Sequence, residues 1–400
     1  MKKENIRLYL NYVLILYAFS IPLSKAGANI FEVIAILLWI VEGDWKVKLE
    51  KFKSNKFILS LFAFIAFSIF SIFWASDIGF ASSYIAKYRH FLMIPILYTS
   101  LDKRFIPHIF SAFLGAMFIS EIVSYGIFFE IWKYKNISPH DPAPFMSHMA
   151  YSTFLAFTSS LLLTKVFLSK NESLTYKIIY GLFFISVTTN LFINGGRTGQ
   201  VIFIFLIFSL TFIHIKHKLK ALFISILMLV SIFYTAYNFS PNFHARSNAM
   251  YSGLYSMIYK NDYTHNGGAR ASLWITGSHV FKDNFLLGTG IGNAVKDIKL
   301  YAKELGFSPS KLSHYADYHN IFVNYAAQLG VFGLIILLFM FYYLFNLKFK
   351  TDEYNSINKM FVISFVLFSF THNTFHTMSP MLFFALFAGL MNSISDSETI

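Results

Sequence analysis

The sequence contains no cysteine and little charge: Asp, Glu, Lys and Arg together make up 13% of 400 residues. Without cysteine there is no disulfide, no thiolate metal site and no thiol nucleophile. A soluble domain carries roughly a quarter charged residues, so this chain has too few to cover a water-facing surface. A G-x-x-x-x-G-K-[ST] loop is also missing, which removes the usual cradle for ATP phosphates. What is abundant is apolar: 56% of the residues are hydrophobic, and Phe alone supplies 49. The bilayer is therefore the expected solvent. A net charge of +13 would suggest nucleic acid on a soluble protein. In a membrane protein the position of each charge matters more, and no nucleic-acid partner is expected.

A helix needs about 20 mostly apolar residues to cross a bilayer. Apolar runs lie near 8–22, 28–42, 57–75, 85–100, 105–131, 147–168, 178–194, 198–215, 221–239, 319–347, 360–376 and 380–392, twelve in all. Backbone groups in lipid must be satisfied internally, so these runs predict helices, and no alternation of period two argues for a barrel. The expected fold is an all-α polytopic membrane protein with about 12 transmembrane helices and one large, partly helical periplasmic loop. Residues 1–239 would hold helices one to nine, 240–318 the loop, and 319–400 the last three helices and a short cytoplasmic tail. Residues 1–22 also have the basic start and apolar stretch of a signal peptide. Hydrophobicity resumes at Ala28 without a cleavage site, so a retained span is expected there.

Basic residues fix the orientation. Nineteen Lys and Arg, including Lys46, Lys48, Lys51, Lys53, Lys56 and the Lys216/Lys218/Lys220 cluster, share a side with the N-terminus. Only six lie opposite, outside the long loop: Lys25, Lys87, Arg89, Lys133, Lys135 and Arg197. This bias predicts that both termini are cytoplasmic.

The loop between Phe239 and His319 is by far the longest connection, and long loops are usually functional. Residues 270–282 and 294–305 carry apolar side chains at helical spacing. Between them Gly288-Thr289-Gly290-Ile291-Gly292 predicts a tight turn. A nucleotide-binding reading of these glycines lacks a preceding strand and an acidic ribose partner.

Several residues stand where chemistry would need them. Arg197, in Asn194-Gly195-Gly196-Arg197-Thr198-Gly199, is placed at a helix start that is already partly positive, an unfavourable position unless an anion occupies it. Arg270 follows Gly267 and Gly268 in the same way. His319 is placed at the start of the tenth span, where the helix dipole opposes protonation, and Asp317 could offset this by capping. A neutral His can act as general base. Arg89 is a cation entering lipid, and such residues are functional candidates by default. His372 and His376, with i, i+4 spacing on one face of the eleventh span, could hold a metal but lack a third ligand, which favours hydrogen bonding. Glu121, Glu130, His140, Asp141 and His148 have no evident partners in the sequence. Arg89, Arg197, Arg270 and His319 would all sit at the external surface, forming a cation-rich pocket with one neutral base. That set suits a membrane-embedded diphosphate leaving group.

These elements, in this order around a large external loop, resemble the bacterial O-antigen ligases and their relatives, the O-antigen polymerases and protein O-oligosaccharyltransferases. The residues that carry the resemblance are Gly195 to Gly199, Arg270 with Leu273-Trp274, Asn284 to Gly290, and His319-Asn320 before Leu329 to Gly333. The first 190 residues agree only in hydrophobic profile. The resemblance implies a glycosyltransferase of the bacterial inner membrane, working at the periplasmic face without nucleotide, metal or other cofactor. Its donor would be a glycan on undecaprenyl diphosphate, and its acceptor a hydroxyl of the lipid A–core oligosaccharide. Arg197 and Arg270 would bind the diphosphate, His319 would be the base, and Arg89 would help hold phosphate or glycan. Polymerases share the donor, so these motifs separate them poorly. The compact chain and single dominant loop favour ligase, and a protein-glycosylating relative would often have a longer C-terminal region. A polytopic transporter would explain the spans but not the glycine-flanked arginines.

Overall fold

The structure, a computed structural model, describes residues 3–170, 172–239, 241–260, 266–307, 312 and 314–399. Among the described residues every regular element is helical. Eight helices among the described residues are long and apolar enough to cross a membrane. They are Lys56–Trp74, Lys103–Phe128, His148–Leu168, Leu174–Ile193, Arg197–His214, Lys218–Thr235, Ile321–Phe345 and Met378–Asp396. A ninth is formed if Lys25–Glu42 and Trp45–Ser54, bent by 110° at their junction, make one broken span.

The remaining expected spans take other forms. Residues 8–22 fall mostly on Lys3–Ser20, whose first turns carry charge. The run 85–100 is divided into Ile78–Ala86, a 3-10 stretch Lys87–Leu92 and the short helix Met93–Ser100. The run 360–376 is helical only to Ser369, where Asp352–Ser369 ends. His372 and His376 therefore lie in a turn, not on one face of a helix. That turn is held by a hydrogen bond between the Ser369 and Thr374 hydroxyls at 2.8 Å and by Asn373 Nδ2 donating to Tyr84 Oη at 2.6 Å.

Met378–Asp396 is the axis of the bundle and is almost wholly buried, whereas Lys218–Thr235 is mostly uncovered and stands at the edge. A helix apolar all round belongs inside. Much of the phenylalanine content goes into this axis. Phe383 packs on Phe154 with ring centroids 4.6 Å apart, and Phe387 on Phe157 at 4.7 Å. One end of the bundle is marked by ion pairs: Lys165 with Glu353, and Lys51 with Asp396 at 2.8 Å. His148 and Arg197, at the starts of their helices, lie at the other.

In the long connection the two expected helices are Asn266–Asp283 and Ala294–Glu304. The first begins before Gly267, so Arg270 lies inside the helix and does not open it. A third helix, Pro241–Lys260, was not expected from its polar composition. Proline at its first position suits a helix start, and Phe243 docks it onto Phe192 and Phe233, with centroids 5.4 and 5.5 Å away.

The glycine turn binds the loop to the bundle. Helix Ile321–Phe345 is broken at Gly330, which has φ 64° and ψ −164°. Its opened carbonyls and N–H groups pair with the turn: Thr289 N donates to Ala327 O at 3.0 Å, Gly290 N to Gln328 O at 2.9 Å, and Val331 N to Phe285 O at 2.8 Å. A Cβ on Gly330 would stand 2.2 Å from Leu286 O, and one on Gly288 2.3 Å from Gln328 C. Backbone meets backbone here with no room for a side chain, in a region of φ/ψ that is essentially glycine-only. Gly330→Ala should therefore destabilise the protein by about 3 kcal/mol, the strain and overpacking together. Thermal unfolding in detergent measures this. Gly115→Ala is the control, since nothing lies within 4 Å of its Cβ position. Equal melting of the two variants would disprove the account of this joint.

Candidate active site

A cavity of about 630 Å³ opens at the end of the bundle away from those ion pairs. Arg197, Arg270 and His319 all line it, together with His148, Met149, Thr198, Tyr315 and Thr371. Among the described residues no carboxylate lines it.

Arg197 is the first residue of its helix, and Gly196 before it offers no side-chain cap. The first N–H groups of a helix have no partners within it; here Arg197 N donates to Gly195 O at 3.2 Å, and the positive end of the helix dipole still favours an anion. The flanking glycines have a packing cause. A Cβ on Gly196 would lie 2.1 Å from Ser152 Oγ, and one on Gly199 would lie 2.2 Å from the Ser152 backbone. Only glycine lets the two helices meet this closely, and Ser152 Oγ then accepts from Gly199 N at 3.2 Å. Close packing thus sets Arg197 beside the start of helix His148–Leu168.

Arg270 reaches the same cavity from the loop, its Nη2 lying 3.2 Å from Met149 Sδ. Burial, and then the neighbouring Arg197 guanidinium, pull Arg270 below the usual arginine range. Two guanidiniums that repel each other in a partly buried space form a site for negative charge, and Arg presents a fork that matches phosphate oxygens.

His319 stands just before the helix, not in it. Asn320 is the N-cap, accepting from Phe322 N and Val323 N, while His319 takes a left-handed φ of 51°. Asp317 does not cap the helix. Its Oδ1 accepts from His319 N at 2.8 Å and meets His319 Nδ1 at 2.8 Å, and its Oδ2 lies 3.5 Å from His376 Nδ1. Burial would raise the Asp317 carboxyl, but hydrogen bonds from both histidines outweigh it and hold the group well below the usual carboxylate range. An ionised Asp317 can only accept, so Nδ1 of His319 carries the proton and Nε2 is left to face a substrate.

Around this pair the supports are rigid. His376 stacks on Tyr84, centroids 4.1 Å apart and planes 6° apart. Tyr84 Oη accepts from Asn324 at 3.0 Å as well as from Asn373. His372 lies 5.8 Å from His319, ring centre to ring centre. Burial pushes it down to about 4, so it adds no charge near neutral pH.

Arg89 does not line the cavity. Its guanidinium is half exposed, 3.8 Å from Glu32 and 3.4 Å from Asn29. Two residues left without a role by sequence reasoning do come to the site: Asp141 Oδ2 lies 3.0 Å from His148 Nδ1, and Asp141 Oδ1 accepts from Gly195 N at 2.9 Å. Glu121 is placed elsewhere, accepting from Ser186 Oγ at 2.8 Å.

Residues 181–338 match a family model described as O-antigen ligase. That stretch is similar to the O-antigen ligases. No curated protein matches the chain. The O-antigen ligase match spans Arg197, Arg270, Asp317, His319 and the Gly288–Gly330 joint, and leaves Arg89, Asp141 and His148 outside it. It supports glycosyl transfer of the ligase or polymerase type by a multi-pass membrane protein.

Proposed function

We propose that the protein is an O-antigen ligase-like enzyme that moves a glycan from undecaprenyl diphosphate to a hydroxyl of lipid A–core oligosaccharide at the periplasmic face of the inner membrane. What supports this reading is the meeting of Arg197, Arg270 and the Asp317-held His319 around one cavity, with no carboxylate among the described residues that line it. His319 Nε2 takes the proton of the acceptor hydroxyl, and the resulting oxygen attacks the anomeric carbon of the donor. The bond from that carbon to the diphosphate breaks with its electron pair on the diphosphate oxygen. Arg197, Arg270 and the start of the Arg197 helix stabilise the charge that gathers there. Arg89 lies outside the cavity, so contact with the glycan is the role left to it. The excess of Lys and Arg at the opposite end of the bundle supports a periplasmic site and cytoplasmic termini.

Purified protein supplied with lipid-linked glycan and lipid A–core tests the reading. Glycan on lipid A–core is the expected product. A lengthened undecaprenyl-linked chain would assign the protein to the polymerases instead. Flux of lipid-linked glycan across proteoliposomes without any covalent product would overturn glycosyl transfer.

A further inference from the structure

The cavity contains a second histidine with the same support as His319. His148 lines it, with its side chain 42% exposed, and its Nδ1 lies 3.0 Å from Asp141 Oδ2. Asp141 also accepts from Gly195 N, two residues before Arg197, so one carboxylate ties the His148 ring to the turn that places the first guanidinium. The next residue, Met149, touches the Arg270 guanidinium. His148 is thus tied to both arginine-bearing elements, with Nδ1 directed to a carboxylate and Nε2 left for the cavity. Nothing in packing alone calls for a histidine with this exposure in a cavity that two arginines line.

We propose that His148 is a substrate-contacting residue, its Nε2–H donating to an oxygen of the phosphate-bearing leaving group while Asp141 holds the ring through Nδ1. The negative charge of a bound diphosphate beside the ring favours the imidazolium, which donates from both nitrogens at once, whereas His319 faces the acceptor hydroxyl and takes its proton. The contact strengthens as the bond from anomeric carbon to diphosphate oxygen breaks and charge collects on that oxygen. No proton need pass from His148, since the proton released by the acceptor goes to His319. The cavity is then divided between two histidines, one facing the attacking oxygen and one the departing diphosphate. This rests on the reading given under Proposed function.

The test uses the full chain in detergent and undecaprenyl diphosphate as probe, with binding and transfer measured on the same preparations. Loss of a hydrogen bond to a charged group weakens binding about tenfold or more. His148→Ala should raise the Kd for the probe by about that factor, with unchanged melting of the ligand-free protein. His148→Gln retains an N–H near the Nε2 position and should recover part of the affinity. It also keeps the test decisive if the alanine variant fails to fold. Wild-type affinity and wild-type transfer in both variants, alongside lost binding in Arg197→Ala, would overturn the proposal and leave the diphosphate reading intact. Absence of probe binding to the wild-type protein would instead overturn that underlying reading.

Discussion

Arg197→Ala should lower glycan transfer by about a thousandfold, the loss seen when a preorganised donor to developing charge is removed. The residue stands at a helix start whose N-cap, Gly196, has no side chain, and a second glycine follows two residues on. Its backbone position is set by contacts that alanine leaves alone: Gly196 and Gly199 against Ser152, and Gly195 N on Asp141. The variant should therefore insert and melt like the wild type. Loss at this site should also not be recovered by lysine, whose point charge cannot make the paired contacts of a guanidinium. Single-turnover transfer with lipid-linked glycan measures the effect. Wild-type turnover by Arg197→Ala would remove this residue from the mechanism.

Loss of His319 should be comparably severe. A positioned general base contributes about 10²–10⁴-fold, and His319→Ala removes it outright. Asp317→Asn is more informative, since it leaves the imidazole in place but takes away the anion that fixes Nδ1–H. The amide can donate to Nδ1, which would put the proton on Nε2 and silence the base. A loss approaching that of His319→Ala is expected. Because Asp317 is held well below the ordinary carboxylate range, it stays ionised across neutral pH. Its contribution to stability is present above that range and fades only as strong acid protonates it. It should thus add no limb to the pH–rate profile near neutrality. Full activity in Asp317→Asn would show that His319 does not depend on this carboxylate.

The sequence exposed the all-helical class, most long spans and the convergence of three residues, because each depends on local signals. Apolar length marks helices, and Gly-Gly before Arg197 marks a helix start. It did not expose the breaks. The run 360–376 is largely apolar only to Phe370 and then reads Thr-His-Asn-Thr-Phe-His; side chains distant in sequence, such as Tyr84 bonding Asn373, hold those polar residues in a turn after the helix stops at Ser369. In the same way Gly330 is one glycine within a hydrophobic run until the Phe285–Gly290 turn is found paired with it. Helix Pro241–Lys260 carries too weak an apolar period to be read, and is secured by Phe243 against aromatic rings of other helices. Asp141 and His148 gave no local signal, because a folded connection of six residues brings them together.

The central claim is that the cavity between Arg197, Arg270 and His319 holds the diphosphate of a lipid-linked donor. The most direct measurement is an electron cryomicroscopy structure of the protein with undecaprenyl diphosphate bound. Phosphate density is expected in this cavity, within hydrogen-bond reach of both guanidiniums, with His319 Nε2 on the side left open for an acceptor. Bound lipid whose diphosphate lies elsewhere, with neither Arg197 nor Arg270 touching it, would contradict the account.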